Sequence, residues 1–292
     1  MEFIKKRIGK YDMYLDAEMR GISGDLNACG VREPEFMWII KKEATGKTGL
    51  DLGANIGYTT LPICEKMHKV IAVEPDKRSR SLLIKNLALN KFNHKTRVLE
   101  YAISDFDGEK VFYLNRKPNL NTLGSARDGS YKTKKVPCIT LDTLFLDELN
   151  KLPNFIKMDV EGHEVEILRG GMKCLAKTDT CGILIEVHPE RYSTEHNFAE
   201  ILEKYISLGY YFKYVVSAGH DIPEQFTLAG YSPIKTFKFR GFNRRVFQDI
   251  KTEDAIKFCS ARYMRLSNDG NQEMNKIVRS IFLKKKVSRR SV

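Results

Sequence analysis

Two short runs of the sequence collect the side chains best able to move a proton or hold an ion. Asp159, Glu161 and His163 lie in "FIKMDVEGHEVEILRGG", and Glu186 and His188 lie in "ILIEVHPE". An imidazole with an ordinary pKa of about 6.5 suits general-base work at neutral pH. His188 is the preferred base, with Glu186 or Asp159 to orient it. Its bland alternative is a capping or surface histidine ahead of Pro189. For His163 the structural alternative is stronger. It sits on a turn entering a helix, where Glu161 and Glu164 also suit the positive helix end. The five residues mix oxygen and nitrogen donors. A divalent ion on Asp159, Glu186 and His188, with Glu161 and His163 nearby, is therefore an alternative that would lower the pKa of a bound hydroxyl. A metal-free site is the preferred expectation.

These residues need strand ends to hold them. The middle of the chain alternates β-rich runs with helical patterns. "TGLDLG" (48–53), "KVIAVEP" (69–75), "TRVLEYAIS" (96–104), "PNFIKMD" (153–159), "CGILIEVHP" (181–189) and "YYFKYVV" (210–216) read as strands. Helical patterns cover 58–67, 77–91, a segment around Val165 to Ala176, and 199–209. This alternation, with continuously apolar strands, argues for an α/β fold with a parallel sheet covered on both faces. Residues 105–147 break the rhythm and read as a β-hairpin insertion. The spacing predicts a helix at "EPEFMWIIKKEA", with Glu33 or Pro34 near its start. Three regions result: an N-terminal helical, substrate-side segment (1–44), a core (45–218) and a basic C-terminal region (219–292) that completes the sheet and ends in a tail.

The segment "TGKTGLDLGANIGYTT" resembles two nucleotide sites at once. A P-loop needs a glycine five residues before Gly46, where Lys41 stands, and it must follow a strand rather than precede one. Gly46-Lys47-Thr48 is therefore an ordinary turn. A dinucleotide turn needs GxGxxG, but Asn55 takes the middle glycine's place in Gly53-Ala54-Asn55-Ile56-Gly57. The tight turn survives and the pyrophosphate cradle is weakened. Glu74 ends the second strand, where a carboxylate can accept both hydroxyls of a ribose and would repel a 2′-phosphate. A ribose-bearing cofactor without phosphate, S-adenosylmethionine, fits this set. Asp51 is expected near its ammonium end, and Gly53 and Gly57 beside its methionine part. The alternative for Asp51 and Glu74 is a solvated strand end.

The run "GLDLGANIGYTT", "VIAVEPD", "EYAISDFDG", "ITLDTL", "FIKMDVEGHEVEILRGG" and "ILIEVHPE" resembles the FkbM-like family of S-adenosylmethionine-dependent methyltransferases over roughly residues 48–190. "GISGDLNACGVREPE" upstream is also family-like. The resemblance implies a Rossmann-like class I methyltransferase fold: a mostly parallel seven-stranded sheet with one antiparallel edge strand. It also implies methylation of a hydroxyl on a sugar, glycan, lipid or small metabolite. Glu74 would bind ribose, Ser104 and Asp105 would lie beside adenine, and Asp159 would face the methyl donor and acceptor. Asn55, Tyr58 and Pro75 complete the expected cofactor neighbours.

The composition bounds the rest. Hydrophobic residues make up 42% of the 292-residue chain, enough for a sizeable core. No apolar run reaches the roughly 18 residues of a membrane span. No secretory signal is legible at the N-terminus. Six scattered cysteines without a CxxC pair are expected to be free thiols in a reducing cytoplasm. The net charge of +12 is concentrated late: from Ala229 onward there are 16 Lys and Arg against 5 Asp and Glu. "KTFKFRGFNRRVF" (235–247) interleaves cations with phenylalanines. That pattern suits single-stranded nucleic acid, or, preferably, a hairpin with alternate phenylalanines packed inward. Lys284, Lys285, Lys286, Arg289 and Arg290 read as a solvated tail able to meet RNA or an anionic membrane surface. An RNA methyltransferase and a non-catalytic binding subunit are therefore the competing readings.

Overall fold

A computed structural model describes residues 2–18, 21–115, 117, 120–123, 132–149, 151–219, 225–260, 262–266 and 272–286. The chain opens with an antiparallel hairpin, β1 (Phe3–Ile8) and β2 (Tyr11–Asp16), turned at Gly9. Helices α1 (Ile22–Cys29) and α2 (Pro34–Glu43) follow. Residues 1–44 are thus half hairpin and half helix, whereas the sequence pattern suggests helix. Proline at the first turn of α2 fixes its start, as expected, since Pro has no N–H to leave unpaired there.

The core then alternates. β3 (Thr48–Leu52), α3 (Thr60–Lys66), β4 (Lys69–Val73), α4 (Lys77–Leu89) and β5 (Thr96–Leu99) lead to a small sheet. That sheet holds β6 (Ala102–Ser104), β7 (Gly108–Leu114) and β8 (Lys132–Thr140). β7 and β8 form the inserted antiparallel hairpin, while β6 runs parallel to β8. The stretch 96–104, read as one strand, is therefore two. The first belongs to the central sheet; the second leaves it to meet the insertion.

β9 (Phe155–Met158), α5 (Glu164–Arg169), α6 (Met172–Lys177), β10 (Gly182–Glu186), α7 (Phe198–Ser207) and β11 (Tyr210–Ser217) complete the alternation. The helix expected over 165–176 breaks at Gly170 and Gly171. A side chain at Gly170 would put its Cβ 2.2 Å from the Ser104 carbonyl oxygen. The last part contributes α8 (Gln225–Leu228), β12 (Lys235–Phe239), β13 (Phe242–Phe247), α9 (Thr252–Ser260), β14 (Arg262–Leu266), β15 (Gln272–Lys276) and β16 (Val278–Lys285).

Among the described residues the central sheet has nine strands in the order β12-β13-β11-β16-β10-β9-β3-β4-β5. From β10 to β5 all pairings are parallel, and β16 runs antiparallel between β10 and β11. Seven of the strands form a Rossmann-like core, and β13 and β12 widen it by an antiparallel hairpin. The reversed strand is inside the sheet rather than at its edge. Alternate residues feed two cores, as the period of two requires. Leu50, Leu52 and Ile156 face one core, and Val70, Ala72 and Leu184 face the other.

The basic end of the chain is not a free tail as far as it is described. Ile281, Phe282 and Leu283 of β16 are fully buried. Lys285 donates to the carbonyls of Leu175 and Ala176 at 3.0 and 2.7 Å, and Lys284 lies 3.7 Å from Glu43. Arg289 and Arg290 lie outside the described residues. The 235–247 segment is the β12–β13 hairpin, with Phe237 packed against Trp38.

Candidate active site

The site begins where β3 ends. Gly53 (φ 71°) turns the chain, and its N–H and that of Ala54 both donate to the Val73 carbonyl at 3.1 Å. Only glycine fits: a Cβ there would lie 2.0 Å from the carbonyl oxygen of Asp159. Asn55 also takes a left-handed φ of 49°, and its N–H donates to Oε2 of Glu74 at 2.8 Å. Oε1 of Glu74 accepts from the Asp76 N–H at 2.8 Å. The glycine turn and the end of β4 are therefore tied together by one carboxylate. Each oxygen keeps a lone pair for a ligand. Burial pushes the Glu74 pKa up to about 7.

An open cleft enclosing about 880 Å³, mouth included, lies over these strand ends. Of the residues expected beside a cofactor, Gly53, Asn55, Tyr58, Glu74, Pro75 and Asp159 line it. Asp51, Gly57, Ser104 and Asp105 do not. Gly57 instead gives room to the side chain of Leu83. Ser104 is fully buried with its Oγ 3.0 Å from Nε2 of His163 and also donates to Asp105, so Ala102 and Ile103 line the cleft in their place.

Asp51 has a different set of partners from the one its position suggests. Its Oδ2 accepts from Thr59 and Thr60 hydroxyls at 3.0 and 2.7 Å, and its Oδ1 lies 3.1 Å from Lys157 Nζ. Lys157 also donates to the carbonyls of Leu52 and Gly53 at 3.1 and 2.9 Å. Burial lowers its pKa, but Asp51 and then Asp159 more than offset this and hold the ammonium charged. Asp51 thus reaches the cleft through Lys157 and Thr59, which both line it.

Arg32 and Glu33 from the N-terminal segment and Phe112, Asn121 and Leu123 from the insertion line the cleft together with Asp159 and Glu161. Asp159 presents its carboxyl to the cleft. Burial, with the nearby carboxylate of Glu186, raises its pKa to about 7. Glu161 takes a left-handed φ of 54°, a conformation that costs energy for a non-glycine residue. Burial raises its pKa against the opposing charge of His188.

His188 lies behind this wall. It is buried and does not line the cleft. Its Nδ1 is 2.8 Å from Glu164, and its Nε2 is 3.5 Å from Glu186 and 3.7 Å from Glu161. Tyr192 braces the pair, donating its hydroxyl to Glu164 at 3.2 Å and accepting the His188 N–H at 3.0 Å. Burial lowers the imidazole pKa, but Glu164 and Glu161 overcome it and hold it well above the ordinary histidine value. Glu164 is therefore the nearest orienting partner, Glu186 also lies beside Nε2, and the surrounding carboxylates favour the protonated ring. His163 lines the cleft as a neutral ring: burial, helped by Lys110, holds its pKa well below the ordinary value.

Glu186 belongs to a charge network. Its Oε1 is 2.6 Å from Arg279 and 3.3 Å from Lys276. Burial raises its pKa, and these cations outweigh burial, so it stays ionised. Arg279 also reaches Glu33 at 2.6 Å, and Arg32 meets Glu33 at 3.0 Å. Two sets of donors among the described residues come within ion-binding range of one another: Asp159, Glu161 and His188, and Glu33, Asp159 and Glu186. The set Asp159, Glu186 and His188 is not one of them. Arg279 already sits between Glu33 and Glu186, so a guanidinium supplies the cation of the second set. In the first set His188 would have to give up its proton.

Arg32, Lys157, Lys276 and Arg279 escape the sequence reading, and Glu33 and Glu164 appear there only as helix-end residues. Lys157 carries a usable signal, because a lysine inside the apolar run "NFIKMD" needs a buried partner. Arg279 carries none, being far along the chain in a region whose sequence gives no site motif.

A strand order with the reversed β16 beside β10, and a glycine turn clamped to an acidic residue at the end of β4, define a Rossmann-like methyltransferase fold. The model of the methyltransferase FkbM domain family matches residues 51–212, more than half of the chain. The chain belongs to that family. It is 30% identical over 143 residues to the hexuronic acid methyltransferase AglP of Haloferax volcanii, a match covering 47% of this chain and 54% of the relative. The chain thus spans about half the length of that curated relative. Among solved structures, an FkbM methyltransferase from Methylobacillus flagellatus is 15% identical with a TM-score of 0.39, covering 70% of this chain and 44% of that one. An S-adenosylmethionine-dependent O-methyltransferase from Thermotoga maritima is 14% identical with a TM-score of 0.43, covering 100% of this chain and 79% of that one.

Proposed function

We propose that this protein is an S-adenosylmethionine-dependent O-methyltransferase whose acceptor is a hydroxyl on a sugar, glycan, lipid or small metabolite. The observation that carries the reading is one cleft holding Glu74 at the end of β4 and Asp159 at the end of β9, on either side of the Gly53 turn. Glu74 retains acceptor capacity for a ribose diol, and its carboxylate would repel a phosphate set beside it. The cofactor supplies an electrophilic methyl group for in-line displacement. Asp159 is the proposed base: it faces the cleft and titrates near neutrality, where a base is most effective. It takes the acceptor hydroxyl's proton as the new O–CH₃ bond forms and the sulfonium C–S bond breaks. Glu161, fixed from behind by the Glu164–His188 pair, would orient the acceptor. His188 is a positioning residue in this scheme.

The sugar class draws on the relative named for methylating a hexuronic acid. RNA is less favoured because Lys284 and Lys285 are spent on Glu43 and on helix carbonyls. The test is calorimetric titration with S-adenosylmethionine and with NAD. The first should bind and the second should not. Binding of NAD alone, or of neither, would overturn the proposal.

A further inference from the structure

The same strands carry a second cavity at their other end. It lies where β3, β4 and β5 begin and encloses about 890 Å³, mouth included. Its walls contrast with those of the active cleft. The cleft is lined by four carboxylates, Glu33, Glu74, Asp159 and Glu161, against Arg32 and Lys157. The groove is lined by Lys69, Lys95, Arg97 and Lys151, with His68 and His94, and among the described residues no carboxylate lines it. Lys95 also supports the fold, donating to the Met67 carbonyl at 2.9 Å, at the end of α3. Lys69 and Lys151 are exposed and come from separate parts of the chain, at the start of β4 and ahead of β9.

The three lysine charges around this concavity, Lys69, Lys95 and Lys151, repel one another in the unliganded protein, and an anion relieves that repulsion. Lysine ammonium groups and imidazole N–H groups are donors suited to phosphate oxygens. We propose that this groove binds the phosphate group of a ligand, separately from the methylation cleft. The phosphate belongs either to a soluble phosphate ester or to a lipid headgroup.

The test uses the full chain at about 0.15 M salt, where surface charges are screened beyond roughly 8 Å. Sodium tripolyphosphate is titrated calorimetrically, and sedimentation is measured with vesicles of phosphatidylglycerol and of phosphatidylcholine. The double variant Lys69→Gln/Lys151→Gln should weaken binding by about tenfold or more. The control Lys41→Gln/Lys238→Gln removes equal charge elsewhere and should leave binding unchanged. Tripolyphosphate binding lost only in the groove variant supports the site with a soluble ligand. Loss seen only with phosphatidylglycerol vesicles assigns the phosphate to a lipid. No binding to either probe, or equal weakening in the control, overturns the proposal.

Discussion

Lys157 Nζ lies 3.1 Å from Oδ1 of Asp51, with both side chains almost wholly buried between β9 and β3. The pair ties the end of the first core strand to the fourth and holds the carbonyls that open the glycine turn. Removing one partner strands a buried charge. Lys157→Met should therefore cost about 3–5 kcal/mol in urea unfolding, and Asp51→Asn/Lys157→Met should recover much of it. A loss below about 1 kcal/mol, the range of an exposed pair, would show that the pair is not structural.

Glu74 should govern cofactor affinity. Its bonds to a ribose diol are charge-assisted, each contributing roughly 1.5–3 kcal/mol. Glu74→Gln should weaken S-adenosylmethionine binding by about 10- to 100-fold in calorimetry. Because the wild-type pKa is raised to about 7, affinity should fall as pH drops through 7. The variant should lack that dependence. Unchanged affinity would place the ribose elsewhere.

Asp159 links rate and stability to pH in opposite senses. As a base it must be ionised, so turnover should rise as pH passes through about 7 and then level off. Asp159→Asn should lower kcat by about 10²–10⁴ with little change in cofactor affinity. For stability, the folded pKa lies above the unfolded value. The contribution is complete below about pH 4 and lost as pH rises through 7. The melting temperature of Asp159→Asn relative to wild type should therefore climb between about pH 4 and pH 7, each kcal/mol being worth roughly 2–4 °C in a large domain. A constant difference would contradict the raised pKa.

Chelation should leave activity intact. Arg279 bridges Glu33 and Glu186, and the carboxylates around His188 favour its protonated ring, so neither donor set offers a ready metal position. Full activity after EDTA treatment is the expected result. Loss restored by added Mg²⁺ would instead assign an ion to Asp159, Glu161 and His188.

The strand ends that build the cleft were legible because their signals are local. Gly53, Glu74 and Asp159 each close an apolar run, and glycine spacing limits what turn can follow. The start of α2 was legible for the same reason, since Pro34 marks it. The rest of the site depends on contacts distant in sequence. "FLKKKVSRRSV" reads as a basic tail because its lysines and arginines outweigh its few apolar residues. Yet Ile281, Phe282 and Leu283 fill the gap between β10 and β11, and Lys285 reaches helix-end carbonyls. Arg279, on the same strand, carries no local signal, and with it the bridging of Glu33 and Glu186 stays hidden. Glu164 was hidden differently: its helix-end position already accounts for an acidic residue, so its bond to His188 left no trace in the sequence.

The central claim is methyl transfer at the Glu74–Asp159 cleft. The most direct measurement incubates the protein with methyl-labelled S-adenosylmethionine and cell extract fractionated into RNA, lipid, glycan and small-molecule pools, beside Asp159→Asn. Label should enter the glycan, lipid or small-molecule pool and fall away with the variant. Label confined to RNA, or equal transfer by the variant, would contradict the account.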